Sequence, residues 1–355
     1  MGILQRYIWR EMVTGFAVVT GVLLAILLVY QGGAVLARAA ELQYPSSVVL
    51  RLFALGALQN VTVLLPFALL LAVVLALGRL YSDNELFAAQ ACGLDFWRCQ
   101  QVIVGVAVPV VALAALITLE LAPRAAVAES ALRAAALRSA LSVPLQAGQF
   151  RSLGGGSTVV YARGVAPDGE LQDVFIKRGR GDAVEATVAR RAQLVVAPDG
   201  LSQTITLRDG ERLEGSPGSG SWRIVRFGYQ SIPLVLPPAK PVSVRRSELP
   251  TMQLLRSVVP GESAELHTRL SWPLMTLVVA FVALPLGRLR PRQNRFARVW
   301  LAVLLFALYA NLLQVAALWL ERGATPQWLG LWWVHGLVGA LAWLAFGIAR
   351  RWGRR

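Results

Sequence analysis

The chain has 355 residues, of which 56% are hydrophobic and 15% are charged, with a formal net charge of +15. This composition is too apolar for an ordinary soluble domain. The basic excess alone would suit a nucleic-acid-binding protein, but the sequence contains no nucleic-acid-binding motif. Basic residues at the cytoplasmic ends of membrane helices explain much of the charge, because they also meet anionic lipid headgroups.

Six apolar stretches predict membrane-spanning helices. A helix needs about 20 apolar residues to cross roughly 30 Å of hydrocarbon. The uncharged stretches are 12–37, 52–78, 99–119, 270–287, 299–320 and 323–349. The first is longer than the apolar core of a signal peptide, about 7–15 residues, so we interpret it as an uncleaved span.

Arginines in the short connections predict the orientation of the spans. They are abundant before the first span, between the second and third, between the fourth and fifth, and after the sixth. All these positions lie on one side if every stretch crosses, and short basic segments stay in the cytoplasm. Both termini are therefore expected in the cytoplasm, and the long segment 123–268 in the periplasm of a Gram-negative cell.

The segment 123–268 changes from helical to strand-like patterning. An alanine-rich stretch first continues the third span outward, and short β-branched and aromatic runs follow. Asp168-Gly169, Asp199-Gly200 and Asp209-Gly210 predict turns, because glycine adopts positive φ at low cost. The pattern favours a β-sandwich, jelly roll or open barrel. We predict an α-helical polytopic membrane protein (residues 1–122 and 269–355, three spans each). Its insertion at 123–268 is predicted to be an all-β, jelly-roll-like periplasmic domain with flanking helices.

The sequence offers no enzyme active site. Gly154-Gly155-Gly156-Ser157 lacks the lysine of a phosphate-binding loop. His267 and His335 stand far apart, without a cluster of cysteines or carboxylates that would indicate a metal. We therefore expect no cofactor and no catalytic residue in this chain, and an energy source in another protein.

The connection 82–93 carries the strongest functional signal. Ser82 with Glu85 three residues later is a capping-box pattern, and Gly93 is a natural helix terminator, so a short cytoplasmic helix is predicted. Leu86 and Phe87 give it an apolar surface. Either Glu85 only caps its own helix, or the helix docks into a groove of a cytoplasmic ATPase with Glu85 facing a basic residue.

The chain resembles the lipopolysaccharide export permeases of the LptF/LptG family. The resemblance begins with "LGRLYSDNELFAAQACGL" around this connection and extends to "RYIWRE" near the N-terminus. It includes "QAGQF", "DVFI" and "LRDGERLEG" in the periplasmic segment, and "AELHTRLSWPLM" and "LPLGRLRPRQNR" around the fourth span. These motifs occur in the family's order over most of the chain.

The resemblance implies a jelly-roll periplasmic domain and a set of partners. They are a paralogous six-span permease subunit (LptG-like), a cytoplasmic ATPase dimer (LptB-like) that binds the ATP and Mg²⁺, and periplasmic bridge proteins (LptC-like and LptA-like). The implied substrate is lipopolysaccharide, taken from the inner membrane. Glu85 matches the family's acidic docking residue.

The resemblance also suggests where the chain would contact the phosphates of its substrate. Relatives carry basic residues in the outer half of the first span, whereas "VYQGGAVLAR" leaves Arg38 as the only cation nearby. Arg38 and Arg51 are the candidates for phosphate contact, and a role of Arg38 as an interfacial anchor fits equally. Two alternative functions stay open: an ATP-driven permease for another lipid or lipoprotein, and a membrane scaffold or sensor that transports nothing.

Overall fold

The polypeptide forms long helices at both ends and a sheet between them. The structure, a computed structural model, describes residues 2–42, 46–142, 147–153, 158–167, 169–180, 183–196, 203–216, 222–234, 245–288, 296 and 298–352. The N-terminal helices are α1 (Ile3–Leu42), α2 (Ser46–Ser82), α3 (Glu85–Ala91), α4 (Phe96–Leu116) and α5 (Ala122–Ser142), with a π-helical turn at Ile117–Leu121 between the last two. The C-terminal helices are α6 (Thr251–Leu254), α7 (Pro260–Gly287), α8 (Val299–Glu321) and α9 (Trp332–Trp352), preceded by a 3₁₀ turn at Arg246–Glu248.

The π-helical turn has a local cause in the sequence. Pro123 follows it and has no N–H to donate to the carbonyl of Leu119, four residues earlier. That carbonyl instead accepts a hydrogen bond of 2.6 Å from the Thr251 hydroxyl. Because the turn keeps the helix continuous, α4 runs into α5 without a break, as the alanine-rich stretch predicted.

Five of the six predicted spans meet the length requirement for crossing a membrane. Helical segments that are long and apolar enough are Ile3–Gly33, Val48–Ser82, Phe96–Ala135, Pro260–Gly287 and Val299–Glu321. The sixth predicted span is shorter than the stretch 323–349, because its apolar helix covers only Trp332–Ile348. Gly323, with φ +72°, ends α8, and Gly330, with φ +42°, precedes α9. The class of helical membrane protein with an inserted β-domain is confirmed, but six full spans are not.

Helix α7 is the centre of the helical part. It packs against α2, α4, α8 and α9, whereas α1 packs against α2 and α4. The buried core includes Leu69, Leu77, Ile103 and Val279, all fully buried. Gly287 allows close approach of α7 to α2, since a Cβ there would lie 2.8 Å from Leu77 Cδ1.

The β-domain is an antiparallel meander. Its strands β1 (Phe150–Leu153), β2 (Thr158–Val165), β3 (Leu171–Arg180), β4 (Ala183–Val196), β5 (Gln203–Gly215) and β6 (Trp222–Leu234) pair in sequence order. One face buries a cluster that includes Val160, Val174 and Ile205. The inserted all-β domain is thus observed, but the described strands show the up-and-down order of a meander and not the Greek-key connections of a jelly roll.

One row of residues interrupts the pairing across this sheet. The register of each ladder from β2–β3 to β5–β6 passes over one position on either strand. These positions line up across the sheet: Arg163, Asp173, Arg190, Asp209 and Gly228. Asp173 and Asp209 have φ of +49° and +53°, and Arg163 bonds Asp173 at 3.0 Å. The sheet therefore carries an irregular line through its middle.

This line corrects one of the three turn predictions. Asp209-Gly210 lies inside β5 and not in a turn, because Gly210 pairs with Ala189 on one side and Phe227 on the other. A positive φ does occur in this dipeptide, but at Asp209 and not at the glycine, and Asp209 lies on the irregular line through the sheet. Gly169, with φ +82°, does lie in the β2–β3 hairpin. Asp199-Gly200 lies outside the described residues.

The chain divides into two compact units. The first comprises Met1–Arg133 and Val244–Arg355, and the second is Ala134–Ser243. The first holds the connection at 82–93 and the described helices apart from the end of α5, and the second holds that end of α5 and the sheet.

Candidate functional site

The connection between α2 and α4 folds as predicted into a short helix, α3. Helix α2 runs to Ser82, and Asn84, two residues later, has a left-handed backbone with φ +61°. Asparagine adopts this left-handed conformation more readily than most residues. Asn84 is the N-cap residue, and its carbonyl accepts the first helical hydrogen bond, 3.0 Å from Ala88 N.

The predicted capping box does not form. Ser82 is the last residue of α2, and its hydroxyl donates to Asp83 Oδ1 at 3.2 Å. No side chain caps α3, so Glu85 does not bond back to the backbone as a capping residue does. The reason is the left-handed Asn84, which takes the N-cap position and frees the carboxylate of Glu85 for another partner.

Gly93 ends α3 as predicted. Its φ is +91°, its N–H donates to Gln90 O at 3.0 Å, and Leu94 N donates to Ala89 O at 3.0 Å. This is the Schellman pattern, which favours glycine because a Cβ would be strained at positive φ. Cys92, the C-cap residue of α3, is exposed, whereas Cys99 in α4 is buried.

The apolar face of α3 packs onto the protein itself. Leu86 is only 2% exposed and belongs to the core of the helical unit. Phe87 is half-buried, with its ring centre 5.1 Å from that of Tyr81. The prediction that Leu86 contributes to a docking surface is therefore wrong in this structure, since this side chain anchors α3. The exposed residues of α3 are Glu85, Ala88 and Ala91.

Glu85 is the end of a hydrogen-bonded chain that reaches α1. The Tyr7 hydroxyl donates to Glu85 Oε2 at 2.8 Å, and Arg79 Nη2 donates to Tyr7 Oη at 3.0 Å. Arg79 Nη1 also lies 2.8 Å from Glu11 Oε1, and Arg79 Nε lies 3.9 Å from Asp83 Oδ2. We call these five residues the acidic cluster. It holds three carboxylates and one guanidinium, and so it carries surplus negative charge.

Sequence reasoning missed Tyr7 and Arg79 as members of this site. Tyr7 lies 78 positions before Glu85, and no local pattern links the two. Tyr7 stands in the motif "RYIWRE" and Arg79 in "LGRLYSDNELFAAQACGL", and both motifs were noted only for their resemblance to the family.

The two arginines predicted to contact phosphate lie in different helices, α2 and α1. Arg51 lies in α2 and is exposed. Arg38 lies in α1, where the structure describes its backbone but not its side chain. Contact of Arg38 or Arg51 with the phosphates of the substrate therefore stays a prediction.

A second polar cluster, also missed, surrounds Arg269 in α7. Its side chain is buried and donates to Glu265 Oε1 at 2.9 Å and to Thr251 Oγ1 at 3.0 Å. It also donates to the carbonyls of Leu249, Ser247 and Arg246 at 2.9, 3.0 and 3.3 Å. The Thr251 hydroxyl in turn donates a hydrogen bond to the Leu119 carbonyl of the π-helical turn. This guanidinium thus fastens the segment 246–251 to α7.

His335 joins three helices. Tyr309 Oη donates to His335 Nδ1 at 2.6 Å, and His335 Nε2 lies 3.0 Å from Ser271 Oγ. Because the Ser271 hydroxyl donates to the His267 carbonyl at 2.7 Å, it accepts from Nε2–H. His335 is therefore a packing residue between α7, α8 and α9. Within the described residues no three side chains of the metal-binding types come together.

Comparison with known proteins covers nearly the whole chain. Residues 6–347 match the family described as "Lipopolysaccharide export system permease LptF/LptG". The chain is 28% identical over 318 residues to the "Lipopolysaccharide export system permease protein LptF" of Escherichia coli strain K12, which covers 86% of this chain and 84% of that protein. The proteins of the same name from Escherichia coli O157:H7 and Shigella flexneri give the same figures.

Proposed function

Because the chain belongs to the lipopolysaccharide export system permease LptF/LptG family, we propose that it is a permease subunit of an ATP-driven exporter. The exporter takes lipopolysaccharide from the inner membrane and passes it to a periplasmic bridge toward the outer membrane. The single observation that carries this proposal is the family match over residues 6–347, which includes both the helices and the β-domain.

The chain's own part is that of a membrane subunit without ATPase activity. Its apolar helices, together with its family, support a position in the inner membrane. We infer that a paralogous permease subunit completes the membrane part and that a cytoplasmic ATPase dimer binds ATP and Mg²⁺. Bridge proteins would continue the path in the periplasm. The arginine-rich connections support cytoplasmic termini and a periplasmic β-domain.

The arrangement of α3 supports a role in coupling. Its exposed face presents Glu85 within a cluster of surplus negative charge, which suits a basic groove. Leu86 on the opposite face is buried in the core that contains residues of α2, α4 and α7. A displacement of α3 by a closing ATPase dimer would therefore move the membrane helices directly, because a packed core deforms little.

Copurification tests the proposal. We expect a C-terminally tagged chain, solubilised gently from native membranes, to bring down a six-span paralogue and a nucleotide-binding subunit. Depletion of the chain should then make lipopolysaccharide accumulate in the inner membrane. Recovery of the chain alone in several mild detergents would contradict the exporter architecture, and accumulation of a different lipid would contradict the substrate.

Reversal of the charge at Glu85 tests the docking role. Glu85→Lys should weaken binding of the ATPase subunit at least about tenfold, because it places a cation against a basic groove. Binding is measured by titration of the ATPase into the purified permease complex. Glu120→Lys is the control, because Glu120 is a half-exposed carboxylate in the π-helical turn, far along the chain from α3. Binding by Glu85→Lys at the level of this control would remove Glu85 from the docking contact.

A further inference from the structure

The carboxylate of Glu85 is oriented by a neutral donor. The Tyr7 hydroxyl donates its one hydrogen bond to Glu85 Oε2 and accepts a hydrogen bond from Arg79 Nη2. The hydrogen bond from the Arg79 guanidinium polarises the Tyr7 hydroxyl, and this strengthens the hydrogen bond that the hydroxyl donates to Glu85. The cation Arg79 is itself engaged by Glu11 at 2.8 Å, so the group that holds Glu85 directly is the neutral hydroxyl of Tyr7 and not a guanidinium.

The two ends of this contact are fixed by packing. Ile8, next to Tyr7, is 1% exposed, and Leu86, next to Glu85, is 2% exposed. Both belong to the same buried core. The Tyr7 hydroxyl and the Glu85 carboxylate are thus presented to each other by two rigid neighbours, although Tyr7 itself is 41% exposed.

The contact leaves one carboxylate oxygen available. Tyr7 occupies Oε2, and within the part of the chain that the structure describes, Glu85 Oε1 has no hydrogen-bond partner. A carboxylate accepts on both oxygens, so a basic side chain of the ATPase can bind Oε1 without displacing Tyr7.

We propose that Tyr7 is a positioning residue for ATPase docking: its hydroxyl holds the Glu85 carboxylate in the orientation that the ATPase recognises and ties α3 to the start of α1. This inference rests on the proposed function and specifies the docking site within it. A carboxylate that is oriented in advance loses less conformational freedom on binding, and so it binds more tightly.

Tyr7→Phe tests this role, because it removes one oxygen and keeps the ring. We expect the ATPase subunit to bind the permease complex in nanodiscs about three- to tenfold more weakly. This is the usual net effect of one hydrogen bond, and it stays modest because Tyr7 acts through Glu85 and does not itself contact the ATPase. Tyr229→Phe is the matched control: Tyr229 lies in β6 of the β-domain, is 66% exposed, and should change the affinity less than twofold, within about the usual effect of a surface substitution.

A double-mutant cycle separates positioning from a general structural effect. In the Glu85→Gln background, Tyr7→Phe should cost less than about twofold, because the carboxylate that Tyr7 orients is already gone. An equal loss in both backgrounds, no loss, or tighter binding by Tyr7→Phe would overturn the inference. The proposed function fails separately: it is contradicted if the wild-type complex neither binds an ATPase nor releases lipopolysaccharide from proteoliposomes on addition of ATP.

Discussion

At the scale of single residues, the buried Arg269 donates five hydrogen bonds within the helical unit. Its guanidinium has five donors in a fixed geometry, and it uses them on Glu265, Thr251 and three backbone carbonyls. The segment 246–251 has few apolar side chains of its own to bury. This one side chain therefore does much to hold the segment against α7.

Removal of this side chain should destabilise the helical unit. Arg269→Ala leaves the carbonyls of residues 246, 247 and 249 without their donor, at an expected cost of about 3 kcal/mol. Thermal unfolding in detergent measures the change. Arg124→Ala is the matched control, because Arg124 forms the same type of i,i+4 pair with Glu120 but its side chain is 73% exposed. It should cost less than about 1 kcal/mol. Equal effects of the two variants would contradict the role of Arg269.

At the scale of elements, the irregular line through the sheet places an unusual demand on Gly210. A Cβ at this position would lie 2.5 Å from the Val188 carbonyl oxygen and 2.5 Å from the Phe227 ring. The carbonyl belongs to the backbone of the neighbouring strand, so it cannot move aside without disturbing the β4–β5 pairing.

Gly210→Ala should therefore loosen the β-domain. We expect a loss of about 1–3 kcal/mol, typical of overpacking, and faster cleavage of β4 and β5 in limited proteolysis of the full chain. Gly228→Ala is the control, since it lies on the same irregular line and its Cβ would meet nothing within 4 Å. A cleavage rate of Gly210→Ala equal to that of Gly228→Ala would show that the sheet relaxes around the added methyl group.

The same elements show what the sequence could and could not predict. Gly93 was predictable because helix termination depends on one residue's φ. Ser82 failed as a cap because Asn84, also a good capping residue, lies nearer to Glu85 and adopts the left-handed conformation. Asp209-Gly210 has the composition of a turn, but only the ladders on both sides place it inside a strand. Local conformation was thus readable, whereas its position in the sheet depended on partners distant in sequence.

Long-range contacts account for the rest of the candidate site. Glu85 was found from local spacing and the family resemblance, but its partner Tyr7 is brought near by the packing of α1 against α2. Leu86 was taken as a docking residue because sequence alone cannot tell an apolar side chain that faces the protein's own core from one that faces a partner. The sixth span was overestimated because uncharged residues 323–331 form turns before α9.

At the scale of the whole molecule, α1 is the least covered of the long apolar helices. In the most apolar 18-residue stretch of α1 only 6% of the residues are buried, against 72% in the corresponding stretch of α2. Val18, Val22, Ile26 and Val29, at helical spacing, are all more than half exposed. A helix with so little contact inside its own chain presents this face to lipid or to another membrane helix.

We expect this face to meet the paralogous subunit. A photo-crosslinking amino acid at Ile26 should give an adduct whose mass equals that of both permease subunits together, read by mass spectrometry of the irradiated membranes. The same amino acid at Leu69, which is fully buried, should give no adduct between chains. Adducts of Ile26 with lipid alone would mean that the paralogue covers another surface.

The arrangement of the two cysteines gives the chain a built-in probe. Its sequence contains only Cys92 and Cys99, and only the first is exposed, one residue beyond the end of α3. A thiol-reactive fluorophore should therefore label the unmodified chain at one place, beside the surface where the ATPase is proposed to dock. The natural sequence could report arrival and departure of that ATPase in real time, without an engineered cysteine and without removal of a native one.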